Sequence, residues 1–199
     1  MNAPLRVAVL LSGSGTSLEN LFEHIERGLP ARVVCVVASK EGAFGLERAR
    51  RRGVPAVAIA RKKFADARSF NDAIHAELAR HDVELVALLG FLSIFEPRER
   101  YRGRAINVHP ALIPAFSGKG MYGHHVHEAV LARGCKVTGA TVHLVDDEYD
   151  HGPILAQRAC EVRDDDTPET LAARVQAVER ELVPEVVRRM AGRNPTGEQ

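Results

Sequence analysis

The segment RVAVLLSGSGTS, residues 6–17, decides the fold. Its first six residues are a short apolar run that predicts a fully buried strand, which Ser-Gly-Ser-Gly ends. A helix from about Ser17 is predicted by four apolar residues at helical spacing: Leu18, Leu21, Phe22 and Ile25. A buried strand, a glycine turn and an amphipathic helix in this order indicate the start of a parallel α/β sheet.

The alternation of strand and helix continues through the first half of the chain. Further buried strands are predicted at residues 32–38, 56–60, 83–89 and 104–108. Helices are predicted at residues 44–52 and 69–80, the second with Ser69 as its N-cap. Continuous apolar strands that alternate with helices predict a parallel sheet covered on both faces. The predicted fold class is therefore α/β, a doubly wound, mostly parallel sheet.

The pattern changes after Pro114. Residues 115–125 are rich in Gly, Ser, His and Lys and predict a loop, and residues 126–133 predict a helix. Two strands are predicted on either side of an acidic loop, and a long amphipathic helix follows them, at residues 137–145, 153–162 and 168–191. Since no linker or repeat separates the two halves, one domain over residues 1–199 with a shared cleft is expected.

Composition and charge are those of an ordinary soluble globular protein, and the cysteine usage fits a reducing compartment. The 199 residues are 45% hydrophobic and 27% charged, with a net charge of +1, which argues against nucleic acid or an anionic membrane as partner. The three cysteines, Cys35, Cys135 and Cys160, are far apart and form no CxxC motif. No stretch has the length of a membrane span, and the N-terminus lacks an apolar signal region, so a cytoplasmic protein is predicted.

The turn Ser12-Gly13-Ser14-Gly15-Thr16-Ser17 is a candidate anion site. Glycines let the backbone approach a ligand closely, and the N–H groups and dipole of the following helix favour phosphate. The turn lacks the Gly-Lys-Ser/Thr of a P-loop, and Leu18 occupies the third glycine place of a dinucleotide motif. A phosphate monoester is the predicted ligand; the alternative is a plain strand-to-helix turn.

Asn107 and His109 lie two residues apart at the end of the predicted fifth strand, so their side chains share one face. An amide N–H₂ can hold a developing oxyanion and an imidazole can move a proton, which suits acyl chemistry. The carboxyl ends of strands are also where open α/β sheets bind ligands. The alternative is a turn in which Asn107 bonds its own backbone and His109 is half-exposed.

Asp150 precedes Gly-Pro at the mouth of a predicted strand, where its carboxylate can point inward. A carboxylate near His109 would raise the pKa of that imidazole and keep it charged. The three residues Asn107, His109 and Asp150 are thus a candidate catalytic set. The alternatives for the acidic loop are a solvated turn and a hydrated cation site.

Metal and covalent chemistry are not predicted. None of five histidines falls in an H-E-x-x-H motif, and no CxxC accompanies them: His124, His125, His127, His143 and His151. The serines of the glycine turn lack a G-x-S-x-G elbow. Cys135 follows a predicted helix end, where the dipole disfavours a thiolate.

Four segments together resemble the phosphoribosylglycinamide formyltransferase family of folate-dependent enzymes: SGSGTS at 12–17, GFLSIF at 90–95, NVHPALIPAF at 107–116 and DDEYDHGPI at 146–154. The resemblance runs in order over nearly the whole chain. It implies a formyltransferase-like Rossmann variant that transfers the formyl group of 10-formyltetrahydrofolate to the amine of N1-(5-phosphoribosyl)glycinamide in purine biosynthesis. It also implies a monomer or homodimer with small-molecule partners and no metal.

The resemblance implies a role for each matching residue. Asn107, His109 and Asp150 would be catalytic. Substrate would be bound by the glycine-rich turn at residues 12–17 (the phosphate turn) and by the last helix, through Gly15, Thr16, Ser17, Gln176, Ala177, Val178 and Glu179. Folate would be bound by Arg68, Leu92, Ser93, Ile94, Phe95, Asn107, Asp146, Asp147, Glu148, Tyr149 and Asp150. Residues 5–105 would then hold the phosphate substrate, and residues 106–192 the folate and catalytic loops.

The chain departs from the family pattern at several positions. Ser17 stands where Asn is usual, Ser93 where a longer basic side chain is common, and His151 where Gly is usual. The loop at residues 118–125 is longer than in the shortest members, and the resemblance assigns no role to its Lys119.

Three rival functions make different demands on the sequence. A 10-formyltetrahydrofolate hydrolase carries an additional N-terminal domain, whereas the predicted first strand here begins close to Met1. A methionyl-tRNA formyltransferase needs a further C-terminal domain and a basic surface. A phosphate-sugar-binding module would bind through Gly15 and have no use for Asn107, His109 and Asp150.

Overall fold

A computed structural model describes residues 3–192. Its strands are β1 Leu5–Leu11, β2 Ala31–Ala38, β3 Ala56–Ala58, β4 Leu85–Leu88, β5 Ala105–His109, β6 Val137–Leu144 and β7 Ile154–Glu161. Its helices are α1 Thr16–Glu26, α2 Phe44–Arg51, α3 Ala67–Leu78, α4 Arg98–Tyr101, α5 His124–Ala132 and α6 Pro168–Ala191. The predicted domain range also includes residues 1–2 and 193–199, which lie outside the described residues.

The strands form one sheet in the order β3-β2-β1-β4-β5-β6-β7. The first five strands pair in parallel, whereas β6 and β7 are added antiparallel at the edge beyond β5. This arrangement confirms the predicted α/β fold class. None of the helices within residues 3–192 has the length and apolar character needed to cross a lipid bilayer.

Three local predictions need correction. The N-cap of α3 is Asp66 rather than Ser69, because the Asp66 carboxylate accepts the Ser69 backbone N–H at 2.7 Å and Ser69 is already helical. Strand β3 ends at Ala58, and the chain then enters a 3₁₀ turn at Arg61–Lys63. Helix α5 begins two residues earlier than predicted, at His124.

Helices cover both faces of the sheet and bury it. Val7, Val9 and Leu11 of β1 pack into one core with α1, α2, α5 and α6. Ala8 and Leu10 of the same strand face the opposite core, which includes residues of α3 and α4. Because successive side chains of a strand point to opposite faces, a strand buried on both sides is apolar throughout.

The strand order places a crevice between β1 and β4, whose connections leave the sheet in different directions. Such a switch point, at the carboxyl ends of the strands, is where open α/β sheets bind ligands. Ser12, which follows β1, links the two exits because its N–H donates to the Gly90 carbonyl at 3.0 Å. Its hydroxyl oxygen also accepts the Leu92 N–H at 2.8 Å.

Candidate active site

A cleft of about 550 Å³ opens at the carboxyl ends of β1, β4 and β5. This volume lies within the range of small-molecule sites. Most of the residues predicted from the sequence line it: Gly15, Thr16, Ser17, Leu92, Ser93, Ile94, Phe95, Asn107, His109, Asp146, Glu148, Tyr149, Asp150, Gln176 and Glu179. The phosphate turn and the candidate catalytic residues therefore belong to one cavity.

The phosphate turn packs closely against the start of α2. Gly15 has a φ of +72°, and a Cβ at this position would lie 2.6 Å from the Cα of Gly45. Only glycine fits this backbone and this contact without a shift. No side chain caps the N-terminus of α1, so the first N–H groups of that helix are left for a ligand.

The wall formed by Leu92–Phe95 is fixed by the buried side chain of Asn71. The Asn71 amide donates to the Ile94 carbonyl at 3.4 Å and accepts the Glu96 N–H at 2.9 Å. Leu92 keeps 46% of its surface exposed and presents an apolar side chain to the cleft. This segment has the backbone rigidity and the apolar surface that a flat ring system requires.

Asn107, His109 and Asp150 meet at the centre of the cleft. The Asp150 carboxylate lies 3.3 Å from Nδ1 of His109 through one oxygen. Its other oxygen accepts the Asn107 Nδ2–H at 3.2 Å. The predicted proximity of the three side chains is confirmed, although the carboxylate comes from a loop more than forty residues beyond Asn107.

His143 is a fourth member of this cluster that the sequence analysis missed. Its Nδ1–H donates to the Leu144 carbonyl at 2.8 Å, so Nε2 of the neutral ring can accept the Asn107 Nδ2–H at 3.1 Å. Nε2 also lies 3.6 Å from Asp150. The antiparallel register that sets His143 opposite Asn107 is the signal that could have revealed it.

The electrostatics of the pair differ from the expectation. Burial lowers the pKa of His109 below its ordinary value, and the opposing influence of the Asp150 carboxylate does not outweigh it. Asp150 acts to raise the pKa of His109, as predicted, but burial is the larger influence, so the expectation that the carboxylate keeps the ring charged is not supported. Burial acts to raise the pKa of Asp150, but the neighbouring rings of His143 and His109 and the N–H of Gly118 together hold it below its usual range.

Both ring nitrogens of His109 face hydrogen-bond acceptors. Nε2 lies 2.8 Å from the Phe116 carbonyl, and Nδ1 faces Asp150. A neutral ring has one proton for these two contacts, whereas an imidazolium satisfies both. The site is thus neutral by burial yet arranged to accept a proton, which is the property that a proton carrier needs.

Two loops complete the cleft. The Gly118 N–H donates to Asp150 at 3.0 Å, which ties the loop after β5 to the Asp150 carboxylate. In the loop before β7, Asp146 accepts the Glu148 N–H at 3.0 Å and lies 2.8 Å from Nδ1 of His151. The hydrogen bond with Asp146 raises the pKa of His151. These contacts fix the loop that carries Asp150.

Four predicted binding residues lie outside the cleft wall. Asp147 points towards Arg102, at 3.8 Å, and Arg68 is exposed on the first turn of α3. Ala177 and Val178 lie on other sides of α6, with Val178 packed against the core, because each helical residue is rotated by about 100° from the one before. Direct side-chain contact with a ligand in the cleft is therefore not supported for these four.

Gln176 and Glu179 face the cleft from α6, three residues apart. Glu179 makes no hydrogen bond or ion pair with the residues that the structure describes. Burial raises the pKa of its carboxyl group to about 7. A carboxyl group held without a partner beside the phosphate turn suits a ligand rich in hydroxyl or amine donors.

A metal-binding arrangement is not found in the part of the chain that the structure describes, where no three His, Cys, Asp or Glu side chains are grouped as ligands. Two of the histidines that line the cleft, His109 and His143, instead hydrogen-bond to backbone carbonyl groups. The donor set thus fits proton and hydrogen-bond chemistry.

Comparison with known proteins agrees with this geometry. Residues 5–187 match the formyl transferase family. The chain is 42% identical to phosphoribosylglycinamide formyltransferase of Mycobacterium tuberculosis over 96% of its own length and 86% of that protein. It is 37% identical to trifunctional purine biosynthetic protein adenosine-3 of Gallus gallus, of which it spans 18%.

Solved structures give the same relationship. Glycinamide ribonucleotide transformylase 1 of Symbiobacterium toebii superposes with a TM-score of 0.88 and 36% identity, over 96% of this chain and 89% of that one. Phosphoribosylglycinamide formyltransferase of Brucella melitensis gives a TM-score of 0.85 and 38% identity, over 96% and 97% of the two chains. The chain belongs to the formyl transferase family.

Proposed function

We propose that this enzyme transfers the formyl group of 10-formyltetrahydrofolate to the amine of N1-(5-phosphoribosyl)glycinamide, a step of purine biosynthesis. The observation that carries the proposal is the presence of a phosphate turn and of the cluster Asn107, His109 and Asp150 in one cleft. Two relatives, from M. tuberculosis and B. melitensis, are named phosphoribosylglycinamide formyltransferase, which supports the same substrate.

Formyl folate supplies an electrophilic one-carbon unit, and the protein supplies charge stabilisation and proton transfer. When the neutral amine attacks, negative charge develops on the formyl oxygen, and the Asn107 N–H₂ is the donor aimed at it. Nδ2 of that amide lies within hydrogen-bond distance of both Asp150 and His143, so the formyl oxygen would share or replace one of these contacts during the reaction.

His109 carries the proton. Its lowered pKa makes it neutral before the reaction, so it can take the proton released by the attacking amine. Asp150, 3.3 Å away, stabilises the imidazolium as it forms. The same proton then leaves for the departing folate nitrogen, which returns the ring to its neutral form and closes the proton balance without a metal or a covalent enzyme intermediate.

The two walls of the cleft suit the two substrates. The backbone at Gly15, Thr16 and Ser17 would bind the phosphate, and Gln176 and Glu179 would face the ribose and glycine portions. Leu92–Phe95 and the loop from Asp146 to Asp150 would bind the folate ring. Residues 5–105 thus contribute the phosphate turn and one folate wall, and residues 106–192 contribute the catalytic loops and α6.

The remaining parts of the proposal concern the cellular setting. We expect a cytoplasmic monomer or homodimer that binds small molecules and neither nucleic acid nor membranes. The net charge of +1 and the free thiols of Cys35, Cys135 and Cys160 support this expectation. Light scattering on purified protein at two concentrations measures the oligomeric state.

An isotope experiment tests the reaction. With 10-formyltetrahydrofolate labelled in the formyl carbon, we expect the label in formylated phosphoribosylglycinamide, with a matching amount of tetrahydrofolate. Label in free formate would instead indicate hydrolysis. Binding of the ribonucleotide without any label transfer would indicate a phosphate-sugar-binding module.

A further inference from the structure

The loop between β5 and α5 carries a cation that the proposed mechanism does not use. Lys119 is the sole lysine or arginine among the residues of the described chain that line the cleft. It lies in a turn closed by the Met121 N–H and the Gly118 carbonyl at 3.0 Å. Its side chain is exposed and forms no ion pair within residues 3–192.

The cleft needs this charge when a phosphate monoester binds. Four carboxyl groups line the cavity, those of Asp146, Glu148, Asp150 and Glu179. A phosphate carries nearly two negative charges at neutral pH, and a helix N-terminus contributes the equivalent of about half a positive charge. The α1 N-terminus alone therefore leaves the phosphate under-compensated.

The arginine nearest the phosphate turn is already engaged. Arg48 donates to the Ser14 carbonyl at 2.9 Å and pairs with Glu19 at 3.1 Å. Arg48 supports the turn from behind and does not line the cleft. Among the described residues that line the cleft, the remaining side-chain cation is Lys119, on the loop from Gly118 to Gly123.

His127 gives independent support for a ligand on this wall. It lies on the first turns of α5 with only 4% of its surface exposed, and it lines the cleft. Its Nδ1 is buried and has no hydrogen-bond partner among the described residues. A buried polar atom without a partner is costly unless a ligand or water satisfies it.

The connectivity indicates which substrate the wall contacts. The loop leads directly into α5, α5 packs against α6, and α6 packs against α1. Gln176 and Glu179, on helix α6, line the cleft. The loop is thus connected through α5 and α6 to the ribonucleotide side of the cleft, and its Gly118 also contacts Asp150 of the acidic loop.

We propose that Lys119 pairs with the phosphate of the ribonucleotide substrate and that His127 donates a hydrogen bond to an oxygen of the same ribose phosphate. The inference rests on the proposed function, whose substrate it uses. The phosphate turn itself supplies no side-chain cation, since Ser17 is uncharged. In this proposal Lys119 supplies the side-chain positive charge for the phosphate. The Gly118 contact with Asp150 places Lys119 one residue from a group that touches the catalytic carboxylate.

A chemical double-mutant cycle tests this assignment by calorimetry in the absence of folate. Wild type and Lys119→Met are each titrated with phosphoribosylglycinamide and with the same glycinamide riboside lacking the phosphate. We expect Lys119→Met to weaken binding of the phosphorylated ligand roughly 10- to 100-fold, and to leave the riboside nearly unchanged. Lys119→Arg should recover most of the loss.

The controls separate this inference from the proposed function. Lys136→Met removes an exposed lysine that lies just before β6, outside the cleft lining, and pairs with Asp164 at 2.5 Å; this variant should bind the phosphorylated ligand and the riboside as wild type does. His127→Phe should weaken the phosphorylated ligand with less effect on formyl folate. The role of Lys119 would be overturned if Lys119→Met weakened binding of phosphoribosylglycinamide and of the riboside equally. A loss confined to formyl folate would overturn it as well. Absence of formyl transfer by wild type would instead refute the proposed function.

Discussion

Nδ2 of Asn107 lies 3.1 Å from Nε2 of His143, which faces it across strands β5 and β6. Because Nδ1 of His143 donates to the Leu144 carbonyl, Nε2 is the acceptor and fixes which end of the Asn107 amide faces Asp150. In the proposed mechanism His143 is therefore a positioning residue, because it fixes the orientation of the Asn107 amide.

Replacing His143 by Leu should release the Asn107 amide. We expect kcat to fall roughly 10- to 100-fold, with smaller changes in KM. This decrease in kcat should not exceed the decrease caused by removing the Asn107 amide itself. His143→Gln keeps an acceptor and should retain more of the wild-type kcat than His143→Leu. Steady-state kinetics measure the difference; equal kcat values for the two variants would argue against positioning through the acceptor.

The phosphate turn offers a matched pair of glycine variants. Gly15→Ala introduces a Cβ 2.6 Å from Gly45 Cα at a φ of +72°, whereas a Cβ on Gly13 meets nothing within 4 Å. Gly15→Ala should lower the free energy of unfolding by about 1–3 kcal/mol and weaken ribonucleotide binding. Gly13→Ala should leave the free energy of unfolding close to that of wild type. Urea denaturation and calorimetry distinguish them, and equal behaviour would contradict the close-contact argument.

Glu179 should make the stability of the ligand-free enzyme depend on pH. Burial raises the folded pKa of this carboxyl group to about 7, above the ordinary value of 4.5. The folded state favours the protonated carboxyl group. The contribution of this protonated group to the free energy of unfolding is fully present below pH 4.5 and is lost as pH rises through about 7. Glu179→Gln should therefore be more stable than wild type at pH 8, by up to about 3 kcal/mol, and should lose this advantage near pH 4.5.

The control for that prediction is Glu181→Gln, on the exposed side of the same helix. Urea unfolding at several pH values measures both variants. If Glu179→Gln and wild type had the same free energy of unfolding at pH 8, the carboxyl group would not be held in an unfavourable environment.

The contact between His151 and Asp146 predicts a second pH effect, on the folate side. The raised pKa of His151 means that the protonated ring contributes its stabilisation fully below pH 6.5, and that this contribution is lost as pH rises through the raised value. KM for formyl folate should rise over that interval, by at most about five-fold because the pair is exposed. His151→Gly should not show the additional rise. An identical KM profile for both proteins would remove His151 from loop positioning.

Much of the fold follows from local sequence. The apolar run ending at Ser12 and the helical spacing after it determine β1, the turn and α1, since both faces of the strand are buried. The antiparallel pairing of β5 with β6 was not predicted, because pairing depends on contacts between distant residues. The N-cap of α3 was also misassigned, since Ser69 and Asp66 are both good capping residues.

In the candidate site, too, some features follow from the local sequence and others depend on contacts between distant residues. Asn107 and His109 are two residues apart on one strand, so their shared direction is a local property. The role of His143 needs the strand register, and the net pKa shift of His109 needs its burial, which the sequence does not state. For Asp147 and Val178, the segment was correct and the direction of the side chain was not, because direction depends on the loop path and the helix phase.

The central claim is that the Asp150 carboxylate, beside His109 and Asn107, enables formyl transfer in this cleft. Single-turnover transfer of labelled formyl to phosphoribosylglycinamide should be compared in wild type, Asp150→Asn and Asp147→Asn, the last altering the same loop outside the cleft. We predict that Asp150→Asn slows the chemical step roughly 100- to 1,000-fold with unfolding close to wild type, and that Asp147→Asn stays near the wild-type rate. A near-normal rate in folded Asp150→Asn would contradict the account.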